Sequence, residues 1–308
     1  MDTLLYLLAR VLVKFFQLVP LPLLARIGCA GGGLAYLIDG RHRRVAIENL
    51  TRCFGAEKSS AEIRRLAREN FKRLGENYLC AIHTAGLSWP RLESRLEFIG
   101  LDKLHYTEGS IVIAIGHFGN FELYARANNL FPQYQFATTY RALKQPGLNR
   151  VLVDLRTRSG CLLFERRNDS EALRSAMSSG RLMLGFLSDQ HAGKSGAWVP
   201  FFGQPCSTTS APAVFALRYK APLHTAVCFR TGPARWRIEV GDAIPTLNAD
   251  GERRSSEEIM TDVNRAFETA VRRDPANWFW VHKRWKPQQL KGAPKKPVAA
   301  QLNELGKT

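Results

Sequence analysis

At 308 residues, 45% apolar and 23% charged, the chain is long enough to bury a sizeable core and too ordinary in composition for a disordered or fibrous protein. Its charge is less ordinary: 44 Lys and Arg against 27 Asp and Glu leave a formal net charge of +17, an excess that points to anionic partners such as nucleic acid, anionic lipid or an acidic carrier. Six cysteines without CxxC or zinc-like spacing argue against a disulfide framework and fit a reducing compartment.

In chain order, the first feature is apolar. Between Leu4 and Val19 the only charges are Arg10 and Lys14. A clean membrane span wants about 20 apolar residues, so this stretch reads as a marginal span or an interfacial helix. Pro20-Leu21-Pro22 follows where a cleaved signal would need small residues, which disfavours a secretory leader. Residues 1–40 are therefore expected to anchor the chain at a membrane, 41–287 to form one α/β domain, and 288–308 to be a basic flexible tail. The cluster "DGRHRR", Asp39 to Arg44, is placed to meet lipid phosphates or to form a solvated loop. Ser60 then caps an amphipathic helix with Ile63, Leu66, Phe71, Leu74, Tyr78 and Leu79 at helical spacing.

From about Leu96 short apolar runs alternate with helical patterns. Strands are expected over 111–116, 136–140, 182–189, 223–230 and 235–240. Helices are expected at about 119–130, 147–158, 170–179 and 210–219, with a late one beginning near Ser255. Such alternation predicts an α/β fold, a mixed sheet covered by helices.

His117 stands where the first of these strands ends, the usual place for ligands in α/β sheets. An imidazole there is suited to general-base chemistry if a carboxylate fixes its tautomer, and Glu122 and Asp189 are the two candidates. The competing reading is a histidine that caps the following helix. Gly116, Gly119 and Asn120 favour function, because they allow close backbone approach and leave N–H groups for an oxyanion or phosphate. No G-x-S-x-G, P-loop, G-x-G-x-x-G or HExxH pattern is present, and the histidines form no close pair, so neither a protein nucleophile nor a metal is expected. A base without a nucleophile suggests activation of a substrate hydroxyl.

The segment "GHFGNFE" resembles the H-x4-D/E motif of membrane-bound acyltransferases, specifically the bacterial lipid A late acyltransferases. "YRALKQPGLN" (140–149), "LSDQHAGKSGAWVPFFGQPCSTTSAPAVFALRYKAPL" (187–223) and "DPANWFWVHKRWK" (274–286) are similar to that family's later blocks, in order. The resemblance implies a glycerol-phosphate-acyltransferase-like fold with an N-terminal membrane-anchoring helix. It also implies transfer of a fatty acyl chain from acyl carrier protein to a lipid A precursor at the cytoplasmic face of the bacterial inner membrane. It assigns His117 as base, Glu122 as the motif's acidic residue and Arg141 to acceptor phosphate or thioester oxygen. Asp189 is the other acidic candidate, and Gly119, Asn120 and Gln190 fall among substrate-binding positions. Pro200 to Gly203 is expected to form an ordered loop beside the site. The partners implied are acidic acyl carrier protein, an anionic lipid acceptor and the membrane surface, with acyl-acyl carrier protein as co-substrate and no other cofactor. Acylation of another glycolipid, an ornithine lipid or a lysophospholipid is the alternative within enzymes. A membrane-tethered nucleic-acid-binding protein is the alternative of another class, but no helix-turn-helix, RNP-like or zinc signature supports it.

Overall fold

The computed structural model describes residues 2–104 and 109–287, so the expected tail lies outside the described residues. Pro20 divides the apolar N-terminus into two helices, α1 (Asp2–Leu18) and α2 (Leu21–Ile38), rather than one segment from Leu4 to Val19. Among the described residues, the helix long and apolar enough to cross a membrane is α2. The "DGRHRR" cluster is not a loop: it opens α3 (Gly40–Phe54), with the Asp39 carboxylate accepting from the His42 backbone N–H, and Arg43 donates to the final carbonyls of α2 at Tyr36 and Leu37. Next comes α4 (Ser60–Thr84), closed at its start by a Ser59–Glu62 capping box. The short α5 (Trp89–Glu93) leads to β1 (Leu96–Ile99).

The strands and helices that follow are β2 (Ile111–Ile115), β3 (Gln135–Tyr140), α6 (Pro146–Thr157), β4 (Leu162–Glu165), α7 (Ser170–Ser178) and β5 (Leu182–Leu187). A hairpin of β6 (Ala197–Phe201) and β7 (Gln204–Thr208) precedes α8 (Ala211–Tyr219), β8 (Leu223–Gly232), β9 (Arg235–Val240) and α9 (Ser256–Arg273). The main sheet has seven strands in the order β1-β9-β8-β2-β5-β3-β4, parallel throughout except for the antiparallel β8–β9 pair. It is a mixed sheet covered by helices, as the alternating pattern predicts.

Four expectations differ. β1, β4 and the β6–β7 hairpin carry no strand expectation in the sequence, and "VPFFG" is a strand end and tight turn rather than a loop. The stretch after His117 is a 3-10 helix over Phe121–Asn129, tighter than the α-helix that the spacing predicts. β5 ends at Leu187, which leaves Ser188 and Asp189 beyond the ladder.

β2 is central, paired with β5 on one side and β8 on the other, and all five of its residues are buried. The pleat sends Val112 and Ala114 into a core shared with α3, α4, α8 and α9, and Ile111, Ile113 and Ile115 into a second core with Phe131, Phe136 and Met183. Because β2 is held on both sides and both faces, its carboxyl end is a fixed point. That is where His117 sits.

α2 is fastened to α4 by glycines. A Cβ on Gly28 would lie 2.6 Å from the Gly75 carbonyl oxygen, and one on Gly32 would lie 2.1 Å from that of Phe71. Gly75→Val is expected to force the two helices apart and cost about 3 kcal/mol, the upper end for overpacking. Gly31→Ala, with nothing within 4 Å of the new methyl, should unfold at the parent temperature or above it. Thermal unfolding in detergent measures both, and an unchanged midpoint for Gly75→Val would refute the close helix contact.

Candidate functional site

The site is organised by one buried carboxylate. Asp189 is 1% exposed and receives three hydrogen bonds: the His117 backbone N–H to Oδ2 (2.7 Å), the Trp278 indole N–H to the same oxygen (2.7 Å), and the His117 ring at Nδ1 to Oδ1 (2.7 Å). Burial, the largest single influence, pushes this carboxyl pKa up. The facing imidazole and the hydrogen bonds from His117 and Trp278 together outweigh it and hold Asp189 below its ordinary value. The carboxylate is therefore ionised, and it fixes both the main chain and the ring of His117. With Nδ1 carrying the proton toward Asp189, Nε2 presents a lone pair on the opposite side. The Gln190 side-chain nitrogen lies 3.4 Å from that atom.

Local sequence makes this close approach feasible. A Cβ at Gly116 would meet the Phe118 ring at 2.5 Å and Asp189 at 3.3 Å. Gly119 turns the chain at φ +50°, where a side chain would be strained and would meet the Cys228 carbonyl at 2.6 Å. The expectation that backbone N–H groups here remain free does not hold for three of them. His117 donates to Asp189, Phe118 to the Gly116 carbonyl and Gly119 to the Asn277 carbonyl.

Glu122 does not partner His117. Arg156, in the last turn of α6, binds it with both guanidinium edges, Nε donating to Oε2 at 2.7 Å and the second contact falling on Oε1. Arg156 has no motif signal in the sequence; only the packing of α6 against the 3-10 helix places it. The same end of α6 is tied to α1, where Tyr6 and Arg10 both donate to Asp154 at 3.2 Å.

Of the remaining candidates, Asn120 is 1% exposed, and neither its side-chain oxygen nor its nitrogen has a hydrogen-bond partner among the described residues. It lines a small recess beside His117 together with Asn77 and Tyr78 of α4, Phe121, Glu122 and Phe279. The rings of Phe121 and Phe279 flank the imidazole, with centroids 4.7 and 5.6 Å away. Asn77, invisible to motif reading, shares this recess and also holds an unpartnered oxygen. Arg141 is exposed on the segment after β3 and is absent from the lining of the His117 recess.

Phe121 and Glu122 also line a second, larger space of about 870 Å³, partly open to solvent. Its walls are apolar, including Ile113, Ile115, Phe131, Phe136, Met183 and Val240, and Glu122 and Arg156 are the charged side chains among its described lining residues. It covers one face of the sheet and leads to the carboxyl end of β2. Among the described residues no three His, Cys, Asp or Glu side chains are grouped to share a metal ion.

The C-terminal segment braces the site from beneath. Asn49 donates to the carbonyls of Trp280 and His282, and Asn70 to those of Ala276 and Trp278. Arg284, 0% exposed, donates to the carbonyls of Gln190 and Ser207 and to the Thr208 hydroxyl. Its guanidinium is a structural tie inside the protein and is not available to a ligand.

The chain matches the family described as bacterial lipid A biosynthesis acyltransferase across residues 2–287. It is 26% identical over 283 residues to the lipid A biosynthesis palmitoleoyltransferase of Escherichia coli, a match covering 88% of each chain. It is 26% identical, with the same coverage, to a lipid A biosynthesis acyltransferase of Shigella flexneri. With the lipid A biosynthesis lauroyltransferase of Escherichia coli the identity is 22% over 276 residues and 87% of each chain.

Next to the catalytic candidates, His282 accepts the His191 backbone N–H at Nε2 (2.9 Å). Burial is the main reason its pKa falls to about 4 from 6.5; Asp189 opposes the shift, and Lys286 and Arg284 reinforce it. The fold therefore holds this histidine neutral, whereas the unfolded chain takes up the proton near 6.5. Its stabilisation is complete above that value and is lost progressively as pH falls toward 4. The pKa values of His191 and His224 are lowered in the same sense. Unfolding free energy measured between pH 7 and 4 should fall, and His282→Gln should reduce the slope; identical slopes would exclude His282 as a contributor.

Proposed function

We propose that this chain, which belongs to the bacterial lipid A biosynthesis acyltransferase family and is an O-acyltransferase, moves a fatty acyl group from acyl carrier protein to a hydroxyl of a lipid A precursor. The observation that carries this reading is the His117–Asp189 pair, in which His117 lines a recess adjoining an apolar cavity. The acyl chain occupies that cavity, which gains stability from burial of its methylenes at about 0.8 kcal/mol each. The thioester carbonyl then stands near Phe121 and Glu122, where cavity and recess meet.

In the reaction, His117 Nε2 takes the proton of the acceptor hydroxyl as the oxygen attacks the thioester carbon. The C–O bond forms, the carbonyl electrons move to oxygen, and their return breaks the C–S bond. The imidazolium gives its proton to the departing thiolate, which restores the resting state. Asp189 stabilises the imidazolium throughout without taking its proton. Asn120, whose amide is buried without a protein partner, supplies an N–H to the oxyanion in place of the backbone donors that are already engaged. The Glu122–Arg156 pair positions the wall between recess and cavity.

A membrane-surface location follows from the N-terminus. α1 exposes Leu4, Leu8, Val11, Phe15 and Leu18, all more than half exposed, and Arg41 and Arg44 stand exposed just beyond α2. A spanning α2 would draw α4 with it, and α4 carries Arg64, Arg65, Arg68, Lys72 and Arg73. These features support α1 and α2 as interfacial helices, and the proposed use of acyl carrier protein as donor would put them at the cytoplasmic face of the inner membrane.

Three substitutions test the mechanism. His117→Ala should lower kcat by about 10²–10⁴-fold, with a lower unfolding midpoint because the buried Asp189 carboxylate loses its ring donor, while the protein still folds cooperatively. Asp189→Asn should lower kcat by at least about 10²-fold with little change in KM. Glu122→Gln, which breaks a positioning pair, should act mainly on KM. Near-normal turnover by folded His117→Ala would overturn the assignment of the base, and a larger kcat loss for Glu122→Gln than for Asp189→Asn would reverse the roles of the two carboxylates.

The membrane reading is tested separately. Leu8→Glu combined with Phe15→Glu should move the protein from the vesicle-bound to the soluble fraction at high salt. Continued sedimentation would place the anchor elsewhere.

A further inference from the structure

A second cleft, on the other face of the sheet from the apolar cavity, has no part in the mechanism above. The pleat of β5 separates the two spaces: Leu182, Leu184 and Phe186 belong to one core and Met183 and Leu187 to the other. This cleft encloses about 990 Å³, partly open to solvent, at the carboxyl ends of β3, β4 and β5 and against α7 and α8. Its floor is aromatic and its rim is basic. Phe164, Phe186, Phe215 and Tyr219 line it, and so do Arg166, Arg174 and Arg218. Thr139 and Leu187 line both this cleft and the apolar cavity, so the two spaces meet over the strand ends.

The arginines are not engaged with carboxylates. Among the described residues no ion pair within 4.0 Å joins Arg166, Arg174 or Arg218 to an acid. The two acids of the cleft are turned to the main chain instead: Glu165 accepts the N–H groups of Arg167 and Asn168 at 2.8 and 3.1 Å, and Asp169 accepts that of Glu165 at 2.6 Å. Burial is the main reason the Arg166 pKa falls; the nearby Arg141 guanidinium adds to the fall, Glu165 opposes it, and Arg141 thus brings further positive charge to the cleft. Three guanidinium groups beside only two carboxylates, both turned to the main chain, leave a net positive charge that an anion would offset. The helices α7 and α8 also begin at this cleft without side-chain caps, which contributes to the same field.

We propose that this cleft binds the phosphorylated sugar head group of the acceptor, its arginines pairing with phosphate and its aromatic floor carrying the apolar face of the sugar ring. The proposal rests on the function given above and deepens it. Arginine presents a planar fork that matches phosphate oxygens, and aromatic rings accept the C–H face of a saccharide without needing its hydroxyls. The placement suits a two-substrate reaction. Adjacent strands lie about 4.8 Å apart, so the ends of β5, β3 and β4 lie roughly 5–15 Å from the end of β2. A head group seated there can extend one hydroxyl to His117 while the acyl donor fills the opposite face of the sheet. Each substrate then has its own side and neither blocks the other.

The test is Arg174→Ala combined with Arg218→Ala in the full chain, with steady-state kinetics on a phosphorylated acceptor and on the same lipid after removal of its phosphates. The parent protein should prefer the phosphorylated lipid. The double variant should show an acceptor KM raised about 10-fold or more, an unchanged KM for the acyl donor, and no remaining preference between the two lipids. An unchanged acceptor KM overturns the proposal. So does a rise confined to the donor KM, which would assign the arginines to the phosphodiester of the carrier's prosthetic arm. Arg174→Lys with Arg218→Lys keeps the charge and loses the fork, and an intermediate KM is expected; it also decides the matter if the alanine variant fails to fold. Should the parent chain transfer no acyl group to any phosphorylated glycolipid, the function above fails. The cleft is then judged by titration with glucosamine 1-phosphate: binding by the parent that the double variant loses supports it, and no binding by the parent refutes it.

Discussion

The hydrogen bonds that converge on the Asp189 carboxylate are the constraint on which the rest of the site depends. A carboxylate with 1% exposure is tolerated only if its charge is met on every side, and here the donors are the His117 main chain, the His117 ring and the Trp278 indole. The carboxylate and its two donor residues come from three different parts of the chain. The carboxylate follows β5, the histidine follows β2, and the indole belongs to the segment after α9, so one charge locks two neighbouring strand ends to the C-terminal segment. Removing any donor would leave a buried charge under-solvated, and removing the acid would leave buried donors without an acceptor. Site geometry and local stability are the same interaction seen twice.

The deep burial of the C-terminal segment follows from that demand. Trp278, Trp280 and Arg284 are almost wholly enclosed, and the main chain between them is satisfied by asparagines reaching from α3 and α4. Asn277 adds a bond from its amide to the Cys228 carbonyl on β8. An irregular segment packed inside a protein needs such partners for its carbonyls, because no ladder supplies them. Arg284 extends the pattern by holding the Gln190 and Ser207 carbonyls with one guanidinium. Its burial depresses its own pKa, and Cys206 and Asp189 oppose that fall. A basic residue within a run of aromatics and cations thus serves as a brace, although by composition the run looks like a phosphate-binding surface.

The sheet and the base were legible in the sequence because their signals are local. The continuous apolar run Ile111–Ile115 can only be a strand buried on both faces, and the histidine that ends it falls at the carboxyl edge where α/β folds place ligands. The sequence also placed Asp189 near the same edge, but the choice between it and Glu122 depended on where β5 stops and how far α6 reaches. Arg156 settles the matter from 34 residues beyond Glu122, a separation with no periodic signature. The short strands β1 and β4 were missed because four-residue segments with half-exposed sides carry little pattern. The 3-10 form of Phe121–Asn129 is likewise a tertiary effect. Leu123 and Tyr124 pack into cores on this stretch while Gly119 is pinned to Cys228 and Asn277, and the tighter helix accommodates both.

The pairing of charges also explains how two acids can stand beside an apolar cavity. Glu122 is matched by Arg156 in the cavity wall, and Asp189 lies outside the cavity lining, bonded to His117, so neither adds an unbalanced charge to that wall. The Glu122–Arg156 pair is nearly neutral, whereas the Asp189–His117 pair keeps the carboxylate's charge while the imidazole stands as a base. The excess positive charge of the chain therefore lies outside this wall, on α3, on α4 and around the cleft across the sheet, where it meets solvent or anions without disturbing the apolar space. A sheet with an apolar cavity on one face, a basic cleft on the other and a single oriented imidazole at its carboxyl edge separates the handling of hydrocarbon from the handling of charge. Both meet at His117 because β2 and its neighbour β5, which carry His117 and Asp189 just beyond their ends, are each held by strands on either side and by a core on either face.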